Sequence, residues 1–372
     1  MFLIINAGKK HTVLIAAIIA AYLISATLTY FSSSKILSVF SSYEKKIEEV
    51  IEDMFEKRNK AILSNNLSTL ESFYDRNTRL GLWAYEHQVK KVKYLHSWAE
   101  KQGIKFVEVK SNIIVRRISK YDGGLKINFS AFTRYSYEYK NEPGVINSFK
   151  IGSYHSMDMS GDENRWVITR EWYTDPFADS LNPDNIKNPE ITEYIISGKP
   201  RDFSKINQRR KDAIEYADKY CGTNAEESYA FKYNKKYKNY NYMGGDCTNF
   251  ASQVLYEGGK FKKNYTWNYQ KDGSMAWLNA NAFKSYLLYS GRASLIAYGT
   301  YNKVFKASYK LLPGDIVAYE KKGKIVHVSV VIDADSKGYS LVNCHNADRN
   351  RVPWDLGWSD KGIKFWLIHV HY

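Results

Sequence analysis

The chain has 372 residues, more than one domain of ordinary size, so two domains with an appendage are expected. A hydrophobic fraction of 44% with 25% charged residues excludes a disordered chain. The net charge of +15 favours a polyanionic partner. No nucleic-acid-binding motif accompanies it, which excludes nucleic acid and leaves peptidoglycan, another anionic wall polymer, or lipid headgroups.

Lys9 and Lys10 precede an uncharged run from Thr12 to Phe31, 20 residues, the length of a membrane-crossing helix. The flanking lysines predict a cytoplasmic N-terminus and an exported remainder, a single-pass cell-membrane protein. A cleaved signal peptide is the alternative, with Ser32-Ser33-Ser34 as a passable cleavage region. Residues 1–34 are assigned to this stub and anchor.

From Tyr43 the chain turns charged and helical. Ile47, Val50, Ile51, Met54 and Phe55 recur at three- and four-residue steps and mark one apolar helix face. A second helix is expected through Leu67, Leu70 and Phe73, and a third from Trp83 to Gln102. Strands follow: Ile104–Val109 and Ile113–Ile118 around Lys110-Ser111-Asn112, then Leu125–Tyr139, Val145–Met159 and Trp166–Tyr173. Helices followed by a meander predict an α+β cone over residues 35–175. Its element order resembles nuclear-transport-factor-like cones, whose interiors bind or catalyse. Glu171 is expected to line such a pocket with either His155 or Asp158; their odd spacing puts those two on opposite faces of a regular strand.

Residues 176–203 hold Pro176, Pro183, Pro189 and Pro200, four of the chain's seven prolines, and read as an interdomain linker.

Residues 204–372 carry the chemistry. An amphipathic helix is predicted over Arg209–Tyr220, followed by a tyrosine–lysine stretch and then Gly244-Gly245-Asp246-Cys247-Thr248-Asn249-Phe250-Ala251-Ser252-Gln253-Val254-Leu255-Tyr256-Glu257-Gly258-Gly259. The glycine pairs predict a tight approach and a helix stop. Cys247 therefore opens a helix, where the macrodipole favours a thiolate. Cys221, Cys247 and Cys344 are odd in number, so at least one thiol is free.

Lys324–Ile332 reads as a strand on which His327 is ionisable amid apolar residues. Tyr339–His345 reads as the next strand, with Asn343 and His345 on one face and Cys344 on the other. An antiparallel sheet packed on the cysteine helix would bring His327 to Cys247. His369 and His371 lack any accompanying metal motif, and neither a metal nor a cofactor is expected.

The segments GGDCTNFASQVLYEGG, RRKDAIEYADKY, LLPGD and VHVSVVI together resemble the bacterial putative amidase domain family of the papain-like clan, alongside CHAP domains and other cell-wall cysteine peptidases. The resemblance covers about residues 207–371 and implies a papain-like α+β fold. It implies Cys247 as nucleophile, His327 as general base and acid, and His345 as the orienting third residue, with Asn343 and Asp348 as alternatives. It further implies Asn241 or Asp246 as an oxyanion or orienting group. Trp267, Tyr242 and Asn249 are expected along a substrate groove. The expected activity is hydrolysis of amide bonds in cell-wall peptides; the alternative is an inactive papain-like module that binds wall polymer or an envelope partner.

Overall fold

The structure, a computed structural model, describes residues 43–162, 165–177, 188–223, 232–358 and 362–372. It divides into two compact units, Met1–Ile51 and Glu52–Tyr372. In the first, residues 43–51 are helical.

The second unit is mixed α+β around one ten-stranded antiparallel sheet. Its first half runs through α1 (52–64), α2 (Ser68–Glu71), α3 (Arg79–Gln102), β1 (Ile104–Tyr121), β2 (Gly124–Tyr139), β3 (Glu142–Asp162) and β4 (Arg165–Tyr173). Its second half holds α4 (Pro189–Ile196), α5 (Gln208–Tyr220), α6 (Cys247–Gln253), α7 (Met275–Leu278), α8 (Ala280–Tyr289), β5 (Ala293–Gly299) and α9 (Tyr301–Ser308). The closing strands are β6 (Ile316–Lys321), β7 (Lys324–Ala334), β8 (Ser340–Cys344), β9 (Arg349–Pro353) and β10 (Ile363–Val370). The sheet order is β1-β2-β3-β9-β8-β7-β6-β10-β5, with β4 also on β3.

Local chemistry explains most of these elements. Thr78 caps α3 by accepting the Gly81 N–H, and Gly103 ends it at φ 70°. Lys110-Ser111-Asn112 does not break β1, as its polarity had suggested. Ser111 pairs with Thr133 across the ladder, its hydroxyl 2.9 Å from that of Thr133 and also bonded to Asn59, so the polar run stays satisfied inside one long strand.

The expected linker, 176–203, contains α4. Asn188 caps it, Pro189 occupies its first turn, and Ile191 and Ile195 are buried. Nor does a seam follow it. β3 pairs with β9 through Lys150↔Asn350 and Ile151↔Arg349. One apolar cluster runs from Leu95 and Trp98 through Tyr135 and Tyr137 to Tyr319, Trp354 and Phe365. Buried polar groups bridge the halves as well: Lys101 pairs with Asp355, and the hydroxyls of Tyr137 and Tyr139 donate to Asp335 at 3.0 and 2.7 Å. From Glu52 onward the described residues of both expected domains lie within one compact unit.

The other face of β6, β7 and β10 carries a second cluster, in which Ala213, Phe250 and Phe283 of α5, α6 and α8 meet Val328, Val330 and Ile368.

The expected transmembrane helix requires correction. No described helix is long and apolar enough to cross a membrane, and residues 12–31 lie outside the described residues. The assignment to a single-pass membrane protein is therefore withdrawn, and the fold class is mixed α+β without it.

Candidate active site

α5 begins at its Asn207 cap and packs against the segment after α6. The glycines around Cys247 act differently at its two ends. Gly244 and Gly245 take φ 106° and 126°, and a Cβ on Gly245 would lie 2.2 Å from the Asn346 side chain. Only glycine fits that close approach. Gly258 and Gly259 do not form the expected left-handed stop; the helix continues through a π-helical turn, Val254–Gly258. A Cβ on Gly258 would sit 2.5 Å from Ala213, so this glycine instead lets α5 approach.

Cys247 is the first residue of α6 and is 5% exposed. Burial raises its thiol pKa; the backbone N–H of Val328 and the Thr248 hydroxyl act against burial by favouring the thiolate. The helix-terminus effect anticipated from the sequence is outweighed by desolvation. Burial pushes Cys221 and Cys344 further, each up to about 12, so Cys247 is the least perturbed of the three thiols.

The sulfur of Cys247 lies where β7 and β8 part. Their pairing runs from Ala334↔Ser340 to Val330↔Asn343 and does not extend to residues 327–329 of β7. The Val328 N–H on that free stretch is the one that meets the thiol.

His327 is buried on the opposite side of β7. Its Nε2 lies 3.2 Å from Cys344 Sγ, and its ring stacks on Trp358 with centroids 5.2 Å apart. No hydrogen bond joins His327 to Cys247 among the described residues. Burial, then the nearby Arg349 charge, lowers the His327 pKa to about 3. The pair His327–Cys344 is therefore neutral imidazole beside neutral thiol.

His345 sits on the α5–α6 side. Its Nδ1 is 2.5 Å from Asp246 Oδ2, and its Nε2–H donates to the Tyr220 carbonyl at 2.7 Å. Phe250 and Tyr233 lie against its ring, each with centroids 4.3 Å away. Burial disfavours the imidazolium, but hydrogen bonding and attraction from Asp246 outweigh it and raise the His345 pKa. Asp246 also accepts from the Tyr240 N–H and from Asn249 Nδ2, which ties the loop before Cys247 to the histidine.

Asn343 shares the His345 face, as its spacing predicts, but both ends of its amide are engaged elsewhere: it donates to Asp218 at 2.9 Å and accepts the Arg351 N–H at 2.7 Å. Asn241 donates to the Tyr233 hydroxyl at 3.2 Å. Asn249 is buried between Lys238, Asp246 and Trp277. Trp267, expected in the substrate groove, is fully buried, its Nε1 donating to Ser252 and its ring stacked on Trp277. Tyr242 alone of the three is exposed, at 87%.

Two groups extend the cluster. The Tyr233 hydroxyl donates to Asp348 at 2.6 Å, and burial raises the Asp348 carboxyl to about 7 against the opposing pull of His345. Asp348 was an alternative third residue in the sequence; Tyr233 was hidden in a tyrosine-rich stretch with no periodicity to single it out.

Residues 207–368 match the family model described as "Putative amidase domain". Two Bacillus subtilis (strain 168) proteins are similar. Uncharacterized protein YhbB is 31% identical over 172 residues, 43% of this chain and 50% of that protein. Uncharacterized protein YjcM is 32% identical over 202 residues, 50% of this chain and 46% of that protein. The chain spans about half the length of these curated relatives. The family match covers Cys247, His327 and His345 and supports an amidase-like hydrolase.

Proposed function

We propose that the protein is a papain-like cysteine amidase or peptidase with Cys247 as nucleophile, acting on peptide amides of the cell wall. The observation that carries this reading is the position of Cys247: a helix N-terminus beside the Val328 N–H in the gap between β7 and β8, next to the Asp246–His345 pair. The thiol attacks the amide carbonyl to form a C–S bond. Its proton passes to His327, which leaves Cys344 for this step and returns the proton to the departing amine. Water then cleaves the thioester, regenerating the thiol and releasing a carboxylic acid. The backbone amides opening α6 favour the oxyanion, and His345, held by Asp246, adds positive charge nearby. The chain's +15 charge and the exposed Tyr242 suit an anionic, sugar-linked peptide.

A second reading rests on the 3.2 Å contact of His327 with Cys344, which makes Cys344 the nucleophile. Incubation of the protein with peptidoglycan fragments, read by mass, tests both. Cys247→Ala should abolish product and Cys344→Ala should retain it; the reverse result selects Cys344, and no product from wild type rejects wall-amide hydrolysis.

A further inference from the structure

Two loops meet on the surface beside Cys247. Residues 232–246 lead into α6, and residues 260–274 lead into α7. Three contacts join them: the Lys238 N–H donates to the Tyr269 hydroxyl at 2.9 Å, the Tyr237 and Tyr269 rings lie 4.9 Å apart, and the Tyr240 hydroxyl donates to Asp272. The first loop is also tied to the cysteine helix. Asn249 Nδ2 donates to the Lys238 carbonyl at 3.1 Å, and Asp246 accepts the Tyr240 N–H at 3.0 Å. We propose that the joined loops form a docking surface for a carboxylate-bearing glycan strand. The choice of a glycan rests on the proposed function and deepens it.

The charge of this surface is one-sided. All seven lysines between residues 235 and 272 are exposed, and the span holds no arginine. Its carboxylates are Asp246, Glu257 and Asp272, and Asp246 is buried against His345. Lys236 and Lys238 stand 3.9 and 3.7 Å from Glu257 and Asp272, at the limit of an ion pair. Lys260 and Lys263 donate to the backbone carbonyls of Glu257 and Tyr269 at 2.5 and 3.1 Å. The side chains of Lys235, Lys262 and Lys271 make no hydrogen bond or ion pair among the described residues. Such hydrated lysines place no strain on the fold; together they make a local positive field that attracts a polyanion.

The uncharged side chains among them choose the polyanion. Tyr265 is 99% exposed and Tyr242 87%. A tyrosine offers an apolar ring face with a polar tip, which matches the C–H face and hydroxyls of a sugar ring. Lysines supply point charges that meet carboxylates spaced along a strand. The planar guanidinium fork suited to phosphates and bases is missing from the span, which disfavours nucleic acid. A strand bearing both sugars and carboxylates uses both features, and it lies where an amide attached to it reaches Cys247.

The test is calorimetric titration of the full chain at low salt with octagalacturonate, maltooctaose, polyacrylate of matched charge and oligothymidylate. Octagalacturonate should bind saturably and at least tenfold more tightly than each of the others. The triple variant Lys235→Gln, Lys262→Gln, Lys271→Gln should lose at least tenfold in affinity. A second triple variant, Lys126→Gln, Lys140→Gln, Lys310→Gln, removes the same charge from exposed positions on other elements and should stay within twofold of wild type. Tyr265→Ala should weaken octagalacturonate at least threefold and leave polyacrylate unchanged. Absence of saturable binding, equal or tighter binding of polyacrylate or oligothymidylate, or equal losses in the two triple variants overturns the proposal. Every substituted residue is exposed, so misfolding does not confuse the result. Octagalacturonate has no amide to cleave, so its binding is read apart from hydrolysis. Binding without any amide hydrolysis rejects the Cys247 reading and keeps the surface, whereas hydrolysis without binding rejects the surface alone.

Discussion

His327 Nε2 lies 3.2 Å from Cys344 Sγ, while the Cys247 sulfur, across the backbone of β7, meets the Val328 N–H. The two thiols thus divide between them what a cysteine hydrolase needs: Cys344 has the imidazole, and Cys247 has the helix terminus and the less perturbed thiol. If His327 must leave Cys344 to serve Cys247, then Cys344→Ala releases it. Steady-state hydrolysis by Cys344→Ala should equal or exceed wild type by up to about threefold, whereas His327→Ala should lose at least about 100-fold in kcat. Loss of turnover in Cys344→Ala with a soluble, cooperatively melting protein would transfer the nucleophile to Cys344.

Thiol reactivity follows burial as well as the helix terminus. Because burial raises all three thiols, alkylation by iodoacetamide should be slow at mildly acidic pH and should accelerate up to and beyond pH 8. Cys247 should be modified first, with Cys221 and Cys344, each at about 12, at least tenfold slower. Peptide mapping after timed quenching reads this order; a faster Cys344 contradicts it.

The cluster around His345 predicts a pH dependence of stability. Asp348 is raised from 3.8 to about 7, so the folded state holds its proton more tightly than the unfolded chain does. That contribution is complete below about pH 4 and disappears as pH rises through about 7. His345, also raised, acts with the same sign: its contribution is present below its unfolded pKa and is lost as pH rises through the higher folded one. Asp348→Asn should therefore flatten the fall in urea midpoint between pH 4.5 and 7.5. An unchanged slope would show that Asp348 ionises normally.

Glu171 has the opposite sign. Burial disfavours its carboxylate, but Arg58 and His155 hold its pKa well below the ordinary range. The stability it contributes is present above its unfolded pKa and is lost on acidification. Arg58→Met removes the guanidinium paired with this buried carboxylate and should cost about 3–5 kcal/mol at pH 7. Chemical denaturation measures the loss; a change below about 1 kcal/mol would mean that the pair is hydrated.

The shared sheet argues against an independent C-terminal half. A protein beginning at Ser204 would expose the β9 edge that β3 covers and strip Asp355 of Lys101 and Trp98. It should be insoluble or melt without cooperativity, and Lys101→Met in the full chain should cost about 3–5 kcal/mol. A cooperative calorimetric transition from residues 204–372 alone would refute this.

The sequence by itself determined the local pieces. Helical periodicity marked α5 and the start of α6, and short runs rich in apolar residues marked β7 and β8. Parity correctly set Asn343 and His345 on one face, where they reach Asp218 and Tyr220 of α5, and Cys344 on the other. It likewise separated His155, which meets Glu171, from Asp158, which meets Arg170. Only the tertiary structure decided which face of β7 the cysteine helix would cover. Val328 and Val330 face α6, so the alternation of the unshifted ladder from Val330 to His327 turns His327 the other way, toward Trp358 and Cys344. The join between β3 and β9 was equally hidden: edge pairing between strands 200 residues apart depends on backbone groups that every residue shares. Burial, too, is a property of the packed molecule, and it reversed the expected direction of the Cys247 thiol because desolvation outweighs a helix dipole once water is excluded.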